Sequence, residues 1–231
     1  DSLESIAKNA LKDENFSNLS VGLVGVGASK AKNIFLGAKA KTVSEFDANG
    51  KAGKFFLGTD EDALVVSMGT GTSFIAIEKG NANYIGGLAL GGGTIKGLSK
   101  YILGADADSV FFNASAKGKL ENVNLLISDI SDTEIPGLDM TTSASDFAKA
   151  LDDASFEDRA AGIVNLILEN VLQTASLIAK SRGIKNIVLI GGLTRCELLS
   201  KPMSMVSSLN KDIKFVIDKN AAFGTAIGAC L

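Results

Sequence analysis

The chain has 231 residues, 46% of them apolar, with 23 basic against 26 acidic side chains and a net charge of −3. That composition supplies a hydrophobic core for one large or two small domains and excludes disordered and fibrous classes. The nearly balanced charge points away from nucleic acid as a partner, while the lack of histidine and the wide separation of Cys196 and Cys230 remove Cys/His zinc sites and Ser-His or Cys-His nucleophiles.

Acid–base chemistry therefore falls to Asp, Glu, Lys or Tyr. No uninterrupted apolar run reaches the roughly 20 residues of a bilayer span. The opening "DSLESIAKNALKDENF" lacks a signal-peptide pattern, so no membrane partner and a cytoplasmic location are expected.

In chain order, the periodicity predicts an amphipathic helix over Ser2 to Leu11, a strand over Ser20 to Val24 and a helix over Ser29 to Leu36. A strand then leads into "TVSEFDA", placing Glu45 and Asp47 at its end, and residues 51 to 62 read as a short helix and loop. "ALVVSMGTGTSFIAIE" reads as a β-hairpin, Ala63 to Met68 and Phe74 to Glu78, with a third strand near Asn83 to Ile85. The glycine-rich "GGLALGGGTIKGLSKYILG" runs into a helical pattern at Ile95, Leu98, Tyr101 and Ile102. Further helices are expected over Ser109 to Ala116, residues 144 to 152 and residues 157 to 182, with a strand near Val123 to Ile127. "IKNIVLIGG" is a buried strand, "TRCELLSKPMSMVSSL" a helix, "IKFVID" a strand and "NAAFGTAIGACL" a final helix. Alternating strands and helices around an antiparallel block predict an α/β protein with a mixed sheet and a domain boundary near residue 60.

Three glycine features, "SMGTGTS", "GGLALGGGTIKG" and "LIGGLT", each stand at a strand end or a helix start. Singly, each reads equally well as tight-turn geometry. Together they fit a nucleotide site, the first two presenting N–H groups and hydroxyls to phosphates and the third admitting a flat base or ribose. Neither a Walker loop nor a Rossmann fingerprint is present. A carboxylate such as Glu45 at the mouth of a phosphate site is a candidate proton acceptor, although a solvated acidic loop gives the same pattern.

"VSEFDA", "VVSMGTGTSF", "IGGLALGGGTIKGL", "IPGLDMTTSASDFAKAL", "KNIVLIGG" and "NAAFGTAIGA" occur in an order and spacing that resembles the type II pantothenate kinases, of the acetate and sugar kinase, Hsc70 and actin superfamily. The resemblance implies an actin-like (ribonuclease H-like) two-lobed fold, residues 1–60 forming the remainder of one lobe and 61–231 the other, with the last helix packing back on the first. It implies a homodimer that transfers the ATP γ-phosphate to pantothenate with Mg²⁺, in the first step of coenzyme A biosynthesis. By the same resemblance Glu45 is the general base. Gly69, Thr70 and Gly71 form a phosphate loop, and Thr70 and Ser73 lie near the transferred phosphate and the pantothenate. Gly92, Gly93, Thr94 and Lys96 lie against ATP, and Gly192 contacts the nucleotide. Metal-ligating residues within this chain are not implied.

Two departures stand out. Relatives begin with an Asp-Gly-Gly-Gly-Thr type loop, which implies that this chain is N-terminally truncated. Where many relatives carry an arginine that contacts substrate, this chain has Tyr84. A nucleotide or metabolite sensor and a sibling kinase for another small alcohol are the alternative expectations.

Overall fold

The computed structural model describes residues 5, 9, 19–31, 39–135, 139–149 and 151–231. The helix expected over Ser2 to Leu11 and most of the one over Ser29 to Leu36 fall outside the described residues. Of the latter, Ala28–Ala31 (α1) is helical.

The centre is a five-stranded mixed sheet in the order β5-β4-β3-β8-β9. Ala63–Met68 (β3), Thr72–Glu78 (β4) and Asn81–Leu88 (β5) form an antiparallel meander. Asn186–Ile190 (β8) lies parallel to β3, and Lys214–Val216 (β9) parallel to β8. Every residue of β3 and β8 is buried. Both faces of the sheet are covered, which is why these strands read as continuous apolar runs rather than as alternation.

The period of two assigns alternate side chains to two cores. Leu64, Val66, Met68, Phe74, Ile187 and Leu189 pack with the long helix Phe156–Arg182. Ala63, Val65, Ile75, Ile77, Val188 and Ile190 pack on the opposite face with Ala52 and Phe56 of Glu45–Leu57 (α2). Outside this sheet, Ser20–Leu23 (β1) and Lys39–Thr42 (β2) form a parallel pair.

α2 differs from the sequence expectation. The helix begins at Glu45 and ends at Leu57, so Glu45 and Asp47 occupy a first helical turn rather than a strand end. Acidic side chains favour that turn because it carries the positive end of the helix dipole. The helical start was obscured by Gly50 and Gly53, residues of low helix propensity. They are there because the helix lies close on the sheet: a Cβ at Gly50 would stand 2.4 Å from Ala82 Cβ, and one at Gly53 2.1 Å from Val65 Cγ2.

β5 leads through Gly91 to Gly92–Leu98 (α3), which continues into the wider helical turn Ser99–Leu103; that ends at Gly104, and a second wide turn follows at Ser109–Ala114. The strand expected near Val123 to Ile127 is only Leu125–Leu126 (β6), followed by Ile127–Ile130 (α4). Residues 144 to 152 are not the expected helix. Ser143–Ser145 (β7) pairs antiparallel with β6, and Asn124 organises the turn after β7. Its Nδ2 donates to Ser143 Oγ at 2.9 Å and Asp146 Oδ1 at 2.8 Å, and its Oδ1 accepts from Phe147 N–H at 3.0 Å. A buried tertiary hub here overrides local helix preference.

The long helix Phe156–Arg182 (α5) starts at a capping box, where Ser155 Oγ accepts from Asp158 N–H at 3.1 Å and Asp158 in turn accepts from Ser155 N–H at 3.0 Å. It has the length and apolarity of a membrane-crossing helix, and its apolar face is buried in the core of this fold. After β8 the expected single helix is broken into short turns at Gly192–Arg195 and Glu197–Leu199, then Ser200–Leu209 (α6), with Cys196 extended between the turns. The final helix, Gly224–Cys230 (α7), packs along α2 and reaches β1. The approach is close: Cβ atoms at Gly228 and Gly22 would collide with the carbonyls of Ala48 and Ala229.

Candidate phosphate and acceptor site

The parallel pairing of β3 with β8 sets Met68 and Ile190 at the same end of the sheet. The three glycine features of the sequence meet at that end. The hairpin turn Gly69 to Gly71 leaves β3, Gly191 and Gly192 leave β8, and the start of α3 folds over the turn.

Backbone contacts join these segments. Gly92 N–H donates to Gly69 O at 2.8 Å, and Gly93 N–H donates to Thr70 O at 2.8 Å. A Cβ at Gly91 would lie 2.6 Å from Thr70 O and 2.8 Å from Gly69 O, so the chain passes there only without a side chain. Gly191 has φ +99°, a left-handed conformation that favours glycine. A Cβ there would also meet Met68 O at 2.5 Å.

This arrangement divides the expected donors. The N–H groups of Gly92 and Gly93 are committed to the turn, so the start of α3 contributes a surface rather than donors. Thr94 Oγ1 is also engaged, donating to Ala89 O at 3.1 Å and accepting from Gly91 N–H at 3.2 Å. Among the described turn and loop bonds, neither Thr70 N–H nor Gly71 N–H donates one. Thr70 is exposed and Gly71 half-buried, so both lie at the surface of the turn. Gly192 is exposed with open space where its Cβ would be, and Lys96 is an exposed cation one turn into α3. Small residues whose N–H groups make no turn or loop bond, with an exposed lysine on the helix that follows, are chemistry suited to an anion such as phosphate.

Ser73 pairs with Gly87 across β4 and β5. The Tyr84 hydroxyl lies 3.3 Å from where a Gly87 Cβ would stand. The Tyr84 ring stacks on Phe46 with centroids 4.1 Å apart. Phe46 follows Glu45 in the first turn of α2, and all three side chains are exposed. Thus Ser73 and Tyr84 meet at Gly87 on the β5 side of the sheet, where Phe46, the chain neighbour of Glu45, packs on the Tyr84 ring. Ser44, at the boundary of α2, makes no side-chain cap. Asp47 and Ser44 line a hollow with Lys41, Lys51, Lys54 and Asn81. Sequence reasoning did not foresee the part played by Phe46; its spacing of four from Gly50 and eight from Lys54, along one helical face, was the available signal.

Comparison with known proteins places this geometry in context. Residues 62–231 match the Fumble family. A type II pantothenate kinase of Oceanobacillus iheyensis is 29% identical over 214 residues, covering 89% of this chain and 79% of that protein. Pantothenate kinase 1 of Oryza sativa subsp. japonica is 34% identical over 137 residues, covering 55% of this chain and 20% of that protein. Among solved structures, the ethanolamine utilization protein EutJ from Carboxydothermus hydrogenoformans superimposes with a TM-score of 0.57 at 15% identity, over 99% of this chain and 70% of that one. The fold is the actin-like one, with a mixed central sheet. With the match extending from the start of the β3–β5 meander to the last residue, the chain belongs to the Fumble family.

Proposed function

We propose that this protein is a kinase that transfers the γ-phosphate of ATP to the primary hydroxyl of pantothenate, acting as a homodimer. The observation that carries the reading is the convergence of three glycine segments at one sheet end, where the Thr70 and Gly71 N–H groups make no turn or loop bond. Open α/β sheets bind ligands at the carboxyl ends of their strands, where β3 and β8 terminate. The names of the relatives supply the acceptor.

In this reading residues 61–231 hold the phosphates and residues 1–60 contribute the base. Thr70 and Gly71 N–H groups and Lys96 hold phosphate oxygens, and the surface of Gly92 and Gly93 with the open space at Gly192 accepts the rest of the nucleotide. Thr70 and Ser73 hydroxyls orient the acceptor. Glu45 takes the proton from its hydroxyl as the oxygen bonds to the γ-phosphorus and the bond to the bridging oxygen breaks, leaving ADP. Such chemistry depends mostly on positioning and charge stabilisation. Mg²⁺ in kinase sites is bound largely through substrate phosphates with one or two carboxylates. The described residues bring no three metal-binding side chains together, and the roles given to Glu45, Thr70 and Ser73 do not depend on it.

The test is transfer of labelled γ-phosphate to pantothenate by the full gene product and by its Glu45→Gln variant. The expected outcome is turnover in the first and a fall of at least about a hundredfold in the second, the scale of general-base loss, with ATP affinity retained. Absence of transfer by the wild-type protein overturns the reading, and full activity of the variant removes Glu45 from it. A second acceptor is favoured by one feature: Tyr84 brings a neutral aromatic face where the family resemblance implies an arginine. Competition with neutral, amide-extended analogues of pantothenate distinguishes the two acceptors.

A further inference from the structure

The peptide between Leu90 and Gly91, on the link from β5 to α3, is held at both ends by threonine hydroxyls. Its carbonyl, on Leu90, accepts a hydrogen bond from Thr72 Oγ1 at 2.8 Å. Its N–H, on Gly91, donates to Thr94 Oγ1 at 3.2 Å, and that hydroxyl donates in turn to Ala89 O at 3.1 Å. A threonine hydroxyl carries one hydrogen, so both are spent within the protein. Thr94, placed against ATP by the family resemblance, therefore has no hydroxyl hydrogen left for it. Thr72 is 5% exposed at the start of β4, paired with Met68 on one side and Leu88 on the other.

The two residues after the clamped peptide grip the hairpin turn, Gly92 N–H on Gly69 O and Gly93 N–H on Thr70 O. In a trans peptide the C=O and the following N–H share a plane and point in opposite directions. The Gly69 carbonyl shares its plane with Thr70 N–H, and the Thr70 carbonyl with Gly71 N–H. Drawing both carbonyls toward α3 therefore turns both N–H groups away from it, and neither makes a turn or loop bond. We propose that Thr72 and Thr94 are positioning residues for this turn. By clamping the Leu90–Gly91 peptide they set Gly92 and Gly93 on the turn carbonyls, and so orient the Thr70 and Gly71 N–H groups for phosphate. This rests on the reading of those two groups as phosphate donors.

Thr72→Val keeps the shape of the side chain and removes its donor, leaving Leu90 O without that bond. In calorimetric titration of the full gene product with ATP and Mg²⁺, the dissociation constant rises about three- to tenfold in Thr72→Val, the scale of one neutral hydrogen bond. Thr72→Ser, which keeps the hydroxyl, restores it. Amide hydrogen exchange followed by NMR reads the intermediate step. The Gly92 and Gly93 amides lose protection in Thr72→Val and regain it in Thr72→Ser, while the amides of β3 and β8 keep theirs. Wild-type ATP affinity in Thr72→Val, an equal loss in Thr72→Ser, or unchanged protection of Gly92 and Gly93 overturns the proposal. If Thr72→Val does not fold, Thr94→Val removes the other half of the clamp, from a half-buried position, and the same two measurements decide. A wild-type protein that binds ATP but transfers nothing to pantothenate loses the acceptor reading and keeps this one; a wild-type protein that binds no ATP loses both.

Discussion

At the scale of single residues, the site distinguishes glycines needed for packing from glycines needed for access. Gly91 has extended φ, which any residue adopts, so its constraint is space alone: a methyl there meets two carbonyls of the hairpin turn within 2.8 Å. Gly91→Ala is expected to push the turn and α3 apart, at about 1–3 kcal/mol for overpacking, and to weaken ATP binding as the turn loses its shape. Gly192 has nothing within 4 Å of its Cβ position. Gly192→Ala should therefore leave the melting temperature unchanged and still weaken ATP binding, because the methyl enters space assigned to nucleotide. Thermal melting beside calorimetric titration of both variants checks the contrast. Equal ATP affinity in Gly192→Ala and wild type would remove Gly192 from the nucleotide contact.

At the scale of elements, α2 lies along edge strand β5 as a ladder. Lys54 Nζ donates to Gly80 O, Gly50 abuts Ala82, and Phe46 stacks on Tyr84. Four helical residues rise about 6 Å and two strand residues about 6.6 Å, so each step of the ladder meets the next. Strands β3, β4 and β8 and helix α5 were legible in the sequence because burial on both faces leaves continuous apolar runs and a long helix shows its 3.6-residue period. The glycine turns were legible singly, since they interrupt strands. Their convergence was expected from their shared chemistry and the family resemblance rather than from periodicity, because it depends on β8 pairing with β3 across a long stretch of intervening chain. The segment around Asp146 was not legible, because there the side chain of Asn124 rather than local propensity decides the conformation. The ladder predicts that Phe46→Ala and Tyr84→Ala each destabilise by about 1 kcal/mol, the scale of an aromatic pair, and by less than the sum when combined. Urea denaturation of the two singles and the double measures this; strict additivity would mean that the stack contributes nothing. Tyr84→Phe keeps the ring and should keep the stability.

At the scale of the whole molecule, α5 is fastened by carboxylates whose titration pulls the fold in opposite directions. Burial alone would push the Asp158 carboxyl up, but donors from Asn122 Nδ2 at 2.9 Å, Lys119 N–H at 2.7 Å and Ser155 N–H at 3.0 Å hold it well below the usual carboxylate range. Its stabilisation is present above the unfolded value and is lost as pH falls through the depressed folded one. Farther along α5, burial pushes Glu169 up, the Asn165 hydrogen bond at 2.8 Å offsets part of this, and the charge of Asp146 raises it again. Burial likewise raises Asp146. For this pair the sign reverses: the fold is favoured while they are protonated, and that contribution is lost as pH rises through their raised values. Above those raised values the ionised pair therefore opposes the fold that Asp158 supports. Glu169→Gln removes one of the two charges and keeps an oxygen for Asn165, so it should raise the melting temperature at pH 7. Below about pH 4, where the native carboxyl is already protonated, the gain should disappear. Thermal unfolding of wild type and variant at both pH values reads this directly. An equal gain at both would trace the effect to packing rather than to a buried charge beside Asp146.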